Sequence, residues 1–371
     1  MNARVAATRI GIIGCGNISA VYFKAGKTLD ALDLAACADL NPEAADRRGT
    51  EFGVKAVPVK DLLGDPSIRV VVNLTVPGAH AEVAMAALQA GKDVYSEKPL
   101  AVNRADGRKQ LDEAKARDLR IGCAPDTFMG VGIQTCRKLI DDGVIGTPVA
   151  AAAFLMGHGH ESWHPAPEFY YKPGGGPMFD MGPYYLTALV NLLGPIRRVC
   201  GSTRMTFGER LITSEPKKGT KIKVEVPTHI AGVMDFANGA VGTIVTSFDI
   251  WAHRMPCIEI YGSEGSLSVP DPNGFDGPVK VRKPGDNEWQ DVPHIAGPAW
   301  QSRGLGVADM VLATAEKRPH RASGELAFHV LDVMQALHEA SDSGRYAEMG
   351  STCARPEPVP AGLVRNREGG T

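Results

Sequence analysis

A glycine-rich turn between an apolar run and a helix-forming run most constrains the fold of this chain. Residues 11–19 read Gly-Ile-Ile-Gly-Cys-Gly-Asn-Ile-Ser, and the spacing G-x-G-x-x-S is typical of a strand–turn–helix unit that binds a dinucleotide. Gly14 permits the tight turn, Gly16 lets the backbone approach a pyrophosphate, and Ser19 in place of a third glycine keeps strand and helix close. The start of the helix offers free N–H groups to the phosphates. The predicted cofactor contacts in this turn are Gly14, Gly16, Asn17 and Ile18.

An acidic residue follows the second predicted strand, Leu32–Ala38. The carboxylate of Asp39 would accept hydrogen bonds from a ribose diol and would repel a 2′-phosphate. The pattern therefore predicts NAD rather than NADP as the cofactor. The alternative interpretation is a plain glycine turn with a solvent-facing Asp39.

Short apolar strands alternate with helical segments over the first third of the chain. Residues 70–74 form a continuous apolar run, as expected of a strand that is buried on both faces, whereas residues 61–63 indicate only a short turn. The alternation predicts an α/β fold with a doubly wound parallel sheet. From residue 148 onward β-rich runs dominate, and turn signals between them predict antiparallel pairing of neighbouring strands.

The charge balance and the cysteines exclude several classes of protein. Forty Lys and Arg stand against forty-two Asp and Glu, so nucleic acid and membrane surfaces are not expected as partners. The seven cysteines are scattered without a CxxC spacing, which argues against a disulfide framework and a thiolate metal cluster. The sequence has no apolar run as long as a membrane span and no signal-peptide pattern. These features predict a soluble cytoplasmic protein.

Two further motifs make the pattern specific. They are residues 72–80, Val-Asn-Leu-Thr-Val-Pro-Gly-Ala-His, and residues 96–100, Ser-Glu-Lys-Pro-Leu. Together with the glycine turn and residues 174–182, Gly-Gly-Gly-Pro-Met-Phe-Asp-Met-Gly, they resemble the Gfo/Idh/MocA family of oxidoreductases over most of the chain. The resemblance implies nicotinamide-dependent oxidation or reduction of sugars, inositols or related polyols.

The same resemblance implies two domains. An N-terminal Rossmann domain would bind NAD(P) within residues 1–125. A C-terminal α+β domain with a large, mostly antiparallel sheet, residues 126–350, would bind substrate and mediate oligomerisation. Residues 351–371 would form a tail, and its content of Pro and Gly from Arg355 onward predicts poor order.

The Glu97-Lys98-Pro99 motif follows a predicted strand at the carboxyl edge of the sheet, where open α/β sheets bind ligands. Pro99 keeps Lys98 out of α geometry, so the lysine side chain has a defined direction. The resemblance implies that Lys98 lies between the nicotinamide and the reacting hydroxyl, where it stabilises an alkoxide or relays a proton. It also implies that the segment around His80 lines the cofactor, although a histidine at a helix start often binds nothing. The further predicted cofactor contacts are Thr75, Pro77, His80, Glu97 and Lys98.

Asp180 and Tyr184 are four residues apart and so share one face of a helix. Pro183 is tolerated only in a first helical turn, which predicts that Asp180 lies at or near the helix cap, where the positive helix end favours its ionised form. The family more often has a histidine at the position of Tyr184, and this departure leaves the terminal base open between Tyr184 and Lys98. The alternative is that Asp180 only caps the helix and Tyr184 only packs. The predicted catalytic residues are Lys98, Asp180 and Tyr184.

Residues 158–164, His-Gly-His-Glu-Ser-Trp-His, contain several potential metal ligands, but the glycine and the nearby prolines indicate a loop, and no metal is expected. We expect this loop to cover a sugar pocket, where Trp163 stacks on a sugar face and polar side chains bind hydroxyls. A polar surface loop is the alternative. The predicted substrate contacts are Asp126, His158, His160, Trp163 and Lys172.

These features together predict an NAD-dependent dehydrogenase of a pyranose, glycoside or cyclitol. One alternative is an NAD-dependent glycoside hydrolase or lyase that oxidises a sugar transiently, and another is a non-catalytic nucleotide-binding sensor. We also expect a homodimer or homotetramer, because few helices follow residue 148 to cover both faces of a large sheet. Strand residues 240–249 place Val241, Thr243, Val245 and Ser247 on one face of that sheet.

Overall fold

The computed structural model describes residues 6–295 and 297–367. Their contacts divide the chain into two compact units, of which the first contains residues 6–134, 297–328 and 356–367 and the second contains residues 135–295 and 329–355. Residues 1–5 of the predicted N-terminal region and 368–371 of the predicted tail lie outside the described residues.

A six-stranded sheet forms the centre of the first unit, with every neighbouring pair of strands parallel. The predicted α/β fold with a doubly wound sheet is confirmed. The middle strand, Val70–Asn73, is buried on both faces, as its apolar run predicts. The strands are β1 Thr8–Ile13, β2 Leu32–Ala38, β3 Lys55–Ala56, β4 Val70–Asn73, β5 Asp93–Ser96 and β6 Ile121–Cys123, in the order β3-β2-β1-β4-β5-β6.

Helices connect these strands and bury small and aliphatic side chains against the sheet. One of them occupies residues 59–64, where the sequence indicated only a short turn at 61–63. The buried Leu62 explains the difference, because it anchors this segment in the core beside Val71 and Leu88. These helices are α1 Ser19–Thr28, α2 Pro42–Phe52, α3 Val59–Gly64, α4 His80–Gln89 and α5 Arg104–Ala116. Helix α6, Val131–Asp141, follows β6, and most of its residues belong to the second unit.

A nine-stranded sheet dominates the second unit, and the last strand in the chain, which has only two residues, forms one of its edges. All neighbouring pairs are antiparallel except β7 and β12, so the predicted, mostly antiparallel sheet is confirmed. Strands β7 and β12 are not adjacent in the sequence, so their parallel pairing does not bear on the expectation for adjacent runs, and helix α7 lies in the long connection between them. The elements are β7 Pro148–Met156, α7 Gly176–Leu193, β8 Ile196–Arg204, the separate pair β9 Glu209–Leu211 and β10 Lys221–Lys223, then β11 His229–Phe236, β12 Val241–Ser247, β13 Ile258–Gly262, β14 Gly265–Val269, β15 Val279–Arg282, β16 Gln290–Val292 and β17 Ala347–Glu348.

Helices cover one face of this sheet. Helix α7 packs on β7, β11 and β12, and helix α9, Gly324–Ser343, brings Leu337 so close to Gly232 that an added Cβ would lie 2.4 Å from its Cδ2. On the opposite face Val241 and Thr243 are exposed and Val245 is half-buried, whereas Ser247 at the end of the strand is buried. The two sets of side chains alternate as the strand pattern predicts.

The predicted position of Asp180 at a helix cap is wrong. Helix α7 begins at Gly176, with Pro177 in its first turn, so Asp180 lies in the second turn and Pro183 in the helix interior. The glycine turn before Gly176 starts the helix earlier than Pro183 alone suggests, and burial of Pro183 holds it there despite the N–H that proline lacks. The helix dipole acts mainly within the first turn, so the predicted influence of the positive helix end on Asp180 does not apply at this position.

The expected poor order of the tail is also wrong for its described part. Arg355 donates to the carbonyl oxygens of Asn191 and Leu192, both at 2.8 Å. Val359 is buried, and its N–H donates to Gln134 Oε1 at 2.9 Å. Buried side chains and a bonded backbone therefore fix a segment whose composition suggested disorder. Within residues 6–295 and 297–367, none of the helices combines the length and apolar character of a membrane span.

Candidate functional site

The glycine turn lies at the end of β1, and its two glycines have different roles. Gly14 has φ +101°, and an added Cβ would lie 2.6 Å from the Leu74 carbonyl, so only glycine fits. Gly16 is exposed, and an added Cβ would meet no atom of the described residues within 4 Å. The backbone at Gly16 and at the start of α1 is therefore open to a phosphate group, as the sequence predicts.

Ser19, at the third position of the motif, is small enough for close packing and also forms hydrogen bonds. Its hydroxyl donates to Gly16 O at 2.7 Å and accepts from Arg48 Nε at 3.1 Å. Arg48 Nη2 also lies 3.4 Å from Gly16 O. Ser19 and Arg48 thus hold the turn through the carbonyl oxygen of Gly16. The sequence does not indicate this role of Arg48, because Arg48 is one of several charged residues in α2.

Asp39 follows β2 and is held by the backbone on both sides. Its Oδ2 accepts the Cys15 N–H at 2.7 Å, and its Oδ1 accepts the Asn41 N–H at 2.8 Å. Each carboxylate oxygen keeps a second lone pair, which suits the two hydroxyls of a ribose diol. The acid is therefore oriented by the same turn that would hold the pyrophosphate.

The side-chain amide of Asn73, which is completely buried, organises the loop after β4. Asn73 is not among the residues predicted from the sequence. Asn73 Oδ1 accepts the Thr75 hydroxyl at 2.7 Å, and Asn73 Nδ2 donates to His80 O at 2.9 Å. The sequence feature that could have identified Asn73 is its position as a polar residue near the end of an otherwise apolar run, residues 70–74. Pro77 begins a short 3₁₀ turn that leads into α4.

His80 is 1% exposed and lies between two loops. Its Nδ1 is 2.7 Å from Pro99 O, and its Nε2 is 2.9 Å from Thr75 O. Burial lowers the pKa of His80, and the two carbonyl oxygens oppose that shift. The described contacts connect the two predicted cofactor loops, while contact of His80 with the cofactor itself stays a prediction.

Glu97 and Lys98 follow β5 at the carboxyl edge of the sheet. Glu97 is buried, its Oε1 accepts the Tyr22 hydroxyl at 2.8 Å, and its Oε2 accepts the Lys98 N–H at 3.0 Å. Lys98 is half-buried, and the Lys98–Pro99 peptide bond is cis. The first unit therefore gathers the predicted cofactor residues at the ends of neighbouring strands, as open α/β sheets do at ligand sites.

In the second unit, helix α7 and the histidine-containing loop meet at an acid–histidine pair. His160 Nε2 lies 2.9 Å from Asp180 Oδ2, and both side chains are largely buried. The ring of His160 packs edge-on against Tyr170 with centroids 4.0 Å apart. Tyr184 is buried on the same helix, one turn after Asp180. The structure thus brings His160 together with the predicted acid.

The other loop residues lie in different surroundings. His158 stacks on Trp251 with ring centroids 3.4 Å apart, and burial together with the Arg210 guanidinium lowers its pKa. Trp163 is 62% exposed and touches His160 edge-on. Lys172 Nζ lies 2.8 Å from Glu225 Oε1.

A cavity of about 540 Å³ lies beside this loop in the second unit. Arg210 lines this cavity and belongs to a buried ion network. It pairs with Glu161 and, at 2.9 Å, with Asp249 Oδ1. Tyr171 donates its hydroxyl to the second oxygen of Glu161. Among the residues that the structure describes, no group of three His, Cys, Asp or Glu side chains is placed to hold a metal ion.

Asp126 lies deep in the first unit, where it is completely buried. Its Oδ2 accepts the N–H groups of Gly304 at 3.0 Å and Gly306 at 2.9 Å, at the start of helix α8, Leu305–Ala315. Burial raises the pKa of Asp126 to about 6. The observed contacts make it a helix cap, and its predicted contact with substrate stays a prediction.

Comparison with known proteins agrees with this architecture. The family model described as "Oxidoreductase family, NAD-binding Rossmann fold" matches residues 8–124, and the GFO/IDH/MocA C-terminal domain model matches residues 133–268. Inositol 2-dehydrogenase/D-chiro-inositol 3-dehydrogenase of Lactiplantibacillus plantarum is 35% identical over 153 residues, covering 38% of this chain and 42% of that protein. Myo-inositol 2-dehydrogenase of Thermotoga maritima is 24% identical over 262 residues, covering 70% of this chain and 74% of that protein.

A solved structure shows the same fold over almost the whole chain. Levoglucosan dehydrogenase in complex with NADH and levoglucosan superimposes with a TM-score of 0.78 at 22% identity, covering 93% of this chain and 100% of that chain. The two family models together match more than half of the sequence. The chain therefore belongs to the GFO/IDH/MocA family of oxidoreductases, and its N-terminal part is an NAD-binding Rossmann domain.

Proposed function

We propose that this chain is an NAD-dependent dehydrogenase that oxidises a hydroxyl-bearing carbon of a cyclitol, sugar or glycoside. The observation that carries the proposal is the arrangement at the carboxyl edge of the parallel sheet. There Asp39 is oriented by the glycine turn, and Glu97 fixes the backbone of Lys98. An anchored lysine beside a dinucleotide site suits proton transfer or alkoxide stabilisation better than it suits a solvated surface charge.

The cofactor would be held by the open turn around Gly16, by Asp39 and by the loops that follow β4 and β5. Bound there, NAD would supply the hydride acceptor for the oxidation of the substrate carbon. The charge of Asp39 supports NAD over NADP, because a 2′-phosphate would meet a fixed carboxylate.

The proposed catalytic residues, Lys98, Tyr184 and Asp180, have different roles in the reaction. Either the Tyr184 phenolate takes the hydroxyl proton while the Lys98 ammonium stabilises the negative charge that develops on the substrate oxygen, or Lys98 takes the proton itself as the neutral amine. In this proposal Asp180 orients the substrate. His160 Nε2 lies 2.9 Å from Asp180 Oδ2 and so helps to fix the orientation of this carboxylate.

The substrate class rests on the loop as well as on the relatives. Two relatives are named for inositols and one for levoglucosan, and all of these compounds present several hydroxyls on a ring. Trp163 has an exposed face for stacking on such a ring, and His158 and Lys172 are polar groups for its hydroxyls. A cytoplasmic location is part of the same proposal, because the enzyme would draw on the NAD pool of the cell interior.

We also propose a homodimer or homotetramer formed through the face of the large sheet that α7 and α9 do not cover. Support comes from the central strand β12, where Val241 is 47% exposed, Thr243 is exposed and Val245 is half-buried. Uncharged side chains in this pattern are typical of a subunit contact.

The direct test is the appearance of NADH absorbance with a panel of myo-inositol, D-chiro-inositol, levoglucosan and common pyranoses. Lys98→Met should abolish turnover and leave the NAD dissociation constant nearly unchanged, because the glycine turn and Asp39 hold most of the cofactor. Tyr184→Phe should lower kcat by about 10²–10⁴-fold if the phenol is the base. A Lys98→Met variant that keeps its activity would contradict the proposed mechanism.

A further inference from the structure

Two buried side chains from different helices hold the residues on either side of Lys98. We infer that Tyr22 of α1 and His80 of α4 are positioning residues, which fix the backbone of Lys98 through Glu97 and Pro99. The inference rests on the proposed role of Lys98 and adds to it the groups that determine where its side chain starts.

The contact on the N-terminal side runs through Glu97. The Tyr22 hydroxyl donates to Glu97 Oε1 at 2.8 Å, and the other oxygen of the same carboxylate accepts the Lys98 N–H at 3.0 Å. Tyr22 is 2% exposed, and burial together with the Glu97 carboxylate raises its pKa well above the usual value, so it stays a neutral donor. One hydroxyl therefore fixes the rotation of a carboxylate that in turn holds the lysine backbone.

The contact on the C-terminal side runs through Pro99. His80 Nδ1 lies 2.7 Å from Pro99 O, and the opposite ring nitrogen lies 2.9 Å from Thr75 O. A neutral imidazole has one N–H and donates to one of these two carbonyl oxygens, of which Pro99 O is the nearer, and the ring packs between the loop after β4 and the loop after β5. With both neighbours of Lys98 held by buried groups, rotation of the backbone at Lys98 is restricted on both sides.

The same unit contains a matched control for the tyrosine. Tyr95 is also buried, on strand β5, but its hydroxyl has no hydrogen-bond partner among the residues that the structure describes. Tyr22→Phe and Tyr95→Phe therefore remove the same atom from the same kind of environment. Only the first substitution removes a hydrogen bond to a carboxylate.

Hydrogen exchange of the Lys98 amide tests the positioning without any substrate. Mass spectrometry of the peptide 96–100 should show about tenfold faster exchange in Tyr22→Phe, because a hydrogen bond to a charged group contributes on that scale. The amides of β4 should be unchanged, and Tyr95→Phe should exchange like the wild type. Equal exchange of the Lys98 amide in Tyr22→Phe and Tyr95→Phe would overturn the inference whatever the activities are. Melting temperatures establish that each variant is folded.

Kinetics then test whether the positioning matters for the reaction. With the polyol that the panel identifies, Tyr22→Phe should lower kcat about tenfold, leave KM and the NAD dissociation constant within about twofold, and increase the deuterium isotope effect on kcat. A smaller folded fraction would lower kcat without changing the isotope effect. Normal kcat in Tyr22→Phe, alongside an inactive Lys98→Met, would refute the positioning role but keep the proposed function. An active Lys98→Met would refute the proposed role of Lys98, absence of NADH formation by the wild type with every compound of the panel would refute the proposed function, and the exchange rates would still decide whether Tyr22 fixes the Lys98 backbone.

Discussion

Both carboxylate oxygens of Asp39 accept a backbone N–H, one from Cys15 and one from Asn41. The negative charge is therefore fixed in place by the folded turn before any cofactor arrives. Because these two hydrogen bonds hold the backbone, removal of the Asp39 side chain would disturb the glycine turn as well as the ribose contact. A test of cofactor choice needs a substitution that keeps the shape of the side chain.

We predict that Asp39→Asn narrows the preference for NAD over NADP. Loss of the charge, and of one of the two accepted backbone N–H groups because the amide NH2 only donates, should cost about 1–2 kcal/mol of NAD affinity and remove the repulsion of a 2′-phosphate. Fluorescence titration with both cofactors measures the two dissociation constants. Asp46→Asn, at an exposed position of the neighbouring helix α2, is the control and should leave both constants unchanged. Tighter binding of NADP than of NAD by the wild type would show that the assignment of Asp39 is wrong.

At the scale of secondary structure, the Rossmann part could be predicted because each strand, turn and cap depends on neighbours in sequence. The bounds of β2, Leu32–Ala38, agree with the sequence pattern for this reason. The start of α7 could not be predicted in this way, because burial keeps Pro183 inside a helix that local preferences would end. The tail beyond Arg355 was likewise misjudged from its composition.

The candidate site shows the same limit. Motif residues such as Gly14, Asp39 and Lys98 can be identified from spacing and resemblance. Tyr22 and Arg48 cannot, because their partners lie far away in sequence and become neighbours only in the folded unit. The His160–Asp180 contact is a third case of this kind, since twenty positions separate its members.

Asp126 at the start of α8 gives the unit a pH-dependent stability. Burial raises its pKa from the ordinary 3.8 to about 6, so the native protein retains this proton to a higher pH than the unfolded chain does. The free energy of unfolding should therefore fall as the pH rises from about 4 to about 6 and then level off. The difference between the two pKa values corresponds to about 3 kcal/mol at most.

Asp126→Asn should remove this dependence, because an amide oxygen still accepts the N–H groups of Gly304 and Gly306. Urea unfolding between pH 4.5 and 8 should show that the variant gains stability relative to the wild type as the pH rises through about 6. The exposed Asp112→Asn of α5 serves as control and should keep a constant difference. A constant difference for Asp126→Asn as well would contradict the raised pKa.

At the scale of the whole molecule, the uncovered face of the nine-stranded sheet predicts self-association. Thr243→Arg would place a charge in the middle of that face, and we expect it to convert the oligomer to monomers in multi-angle light scattering at micromolar concentration. Thr220→Arg, at an exposed position outside the large sheet, should leave the oligomer intact. A wild-type protein that is monomeric under these conditions would refute the proposed contact.

The central claim is that a hydrogen moves from a carbon of a ring polyol to NAD and that Lys98 is needed for this step. The most direct measurement uses the carbon-deuterated form of the panel compound that is turned over and determines deuterium in the isolated NADH by mass spectrometry. The account predicts stoichiometric, singly deuterated NADH with the wild type and none with Lys98→Met. Release of a leaving group from a glycoside without accumulation of deuterated NADH, or equal labelling by Lys98→Met, would contradict it.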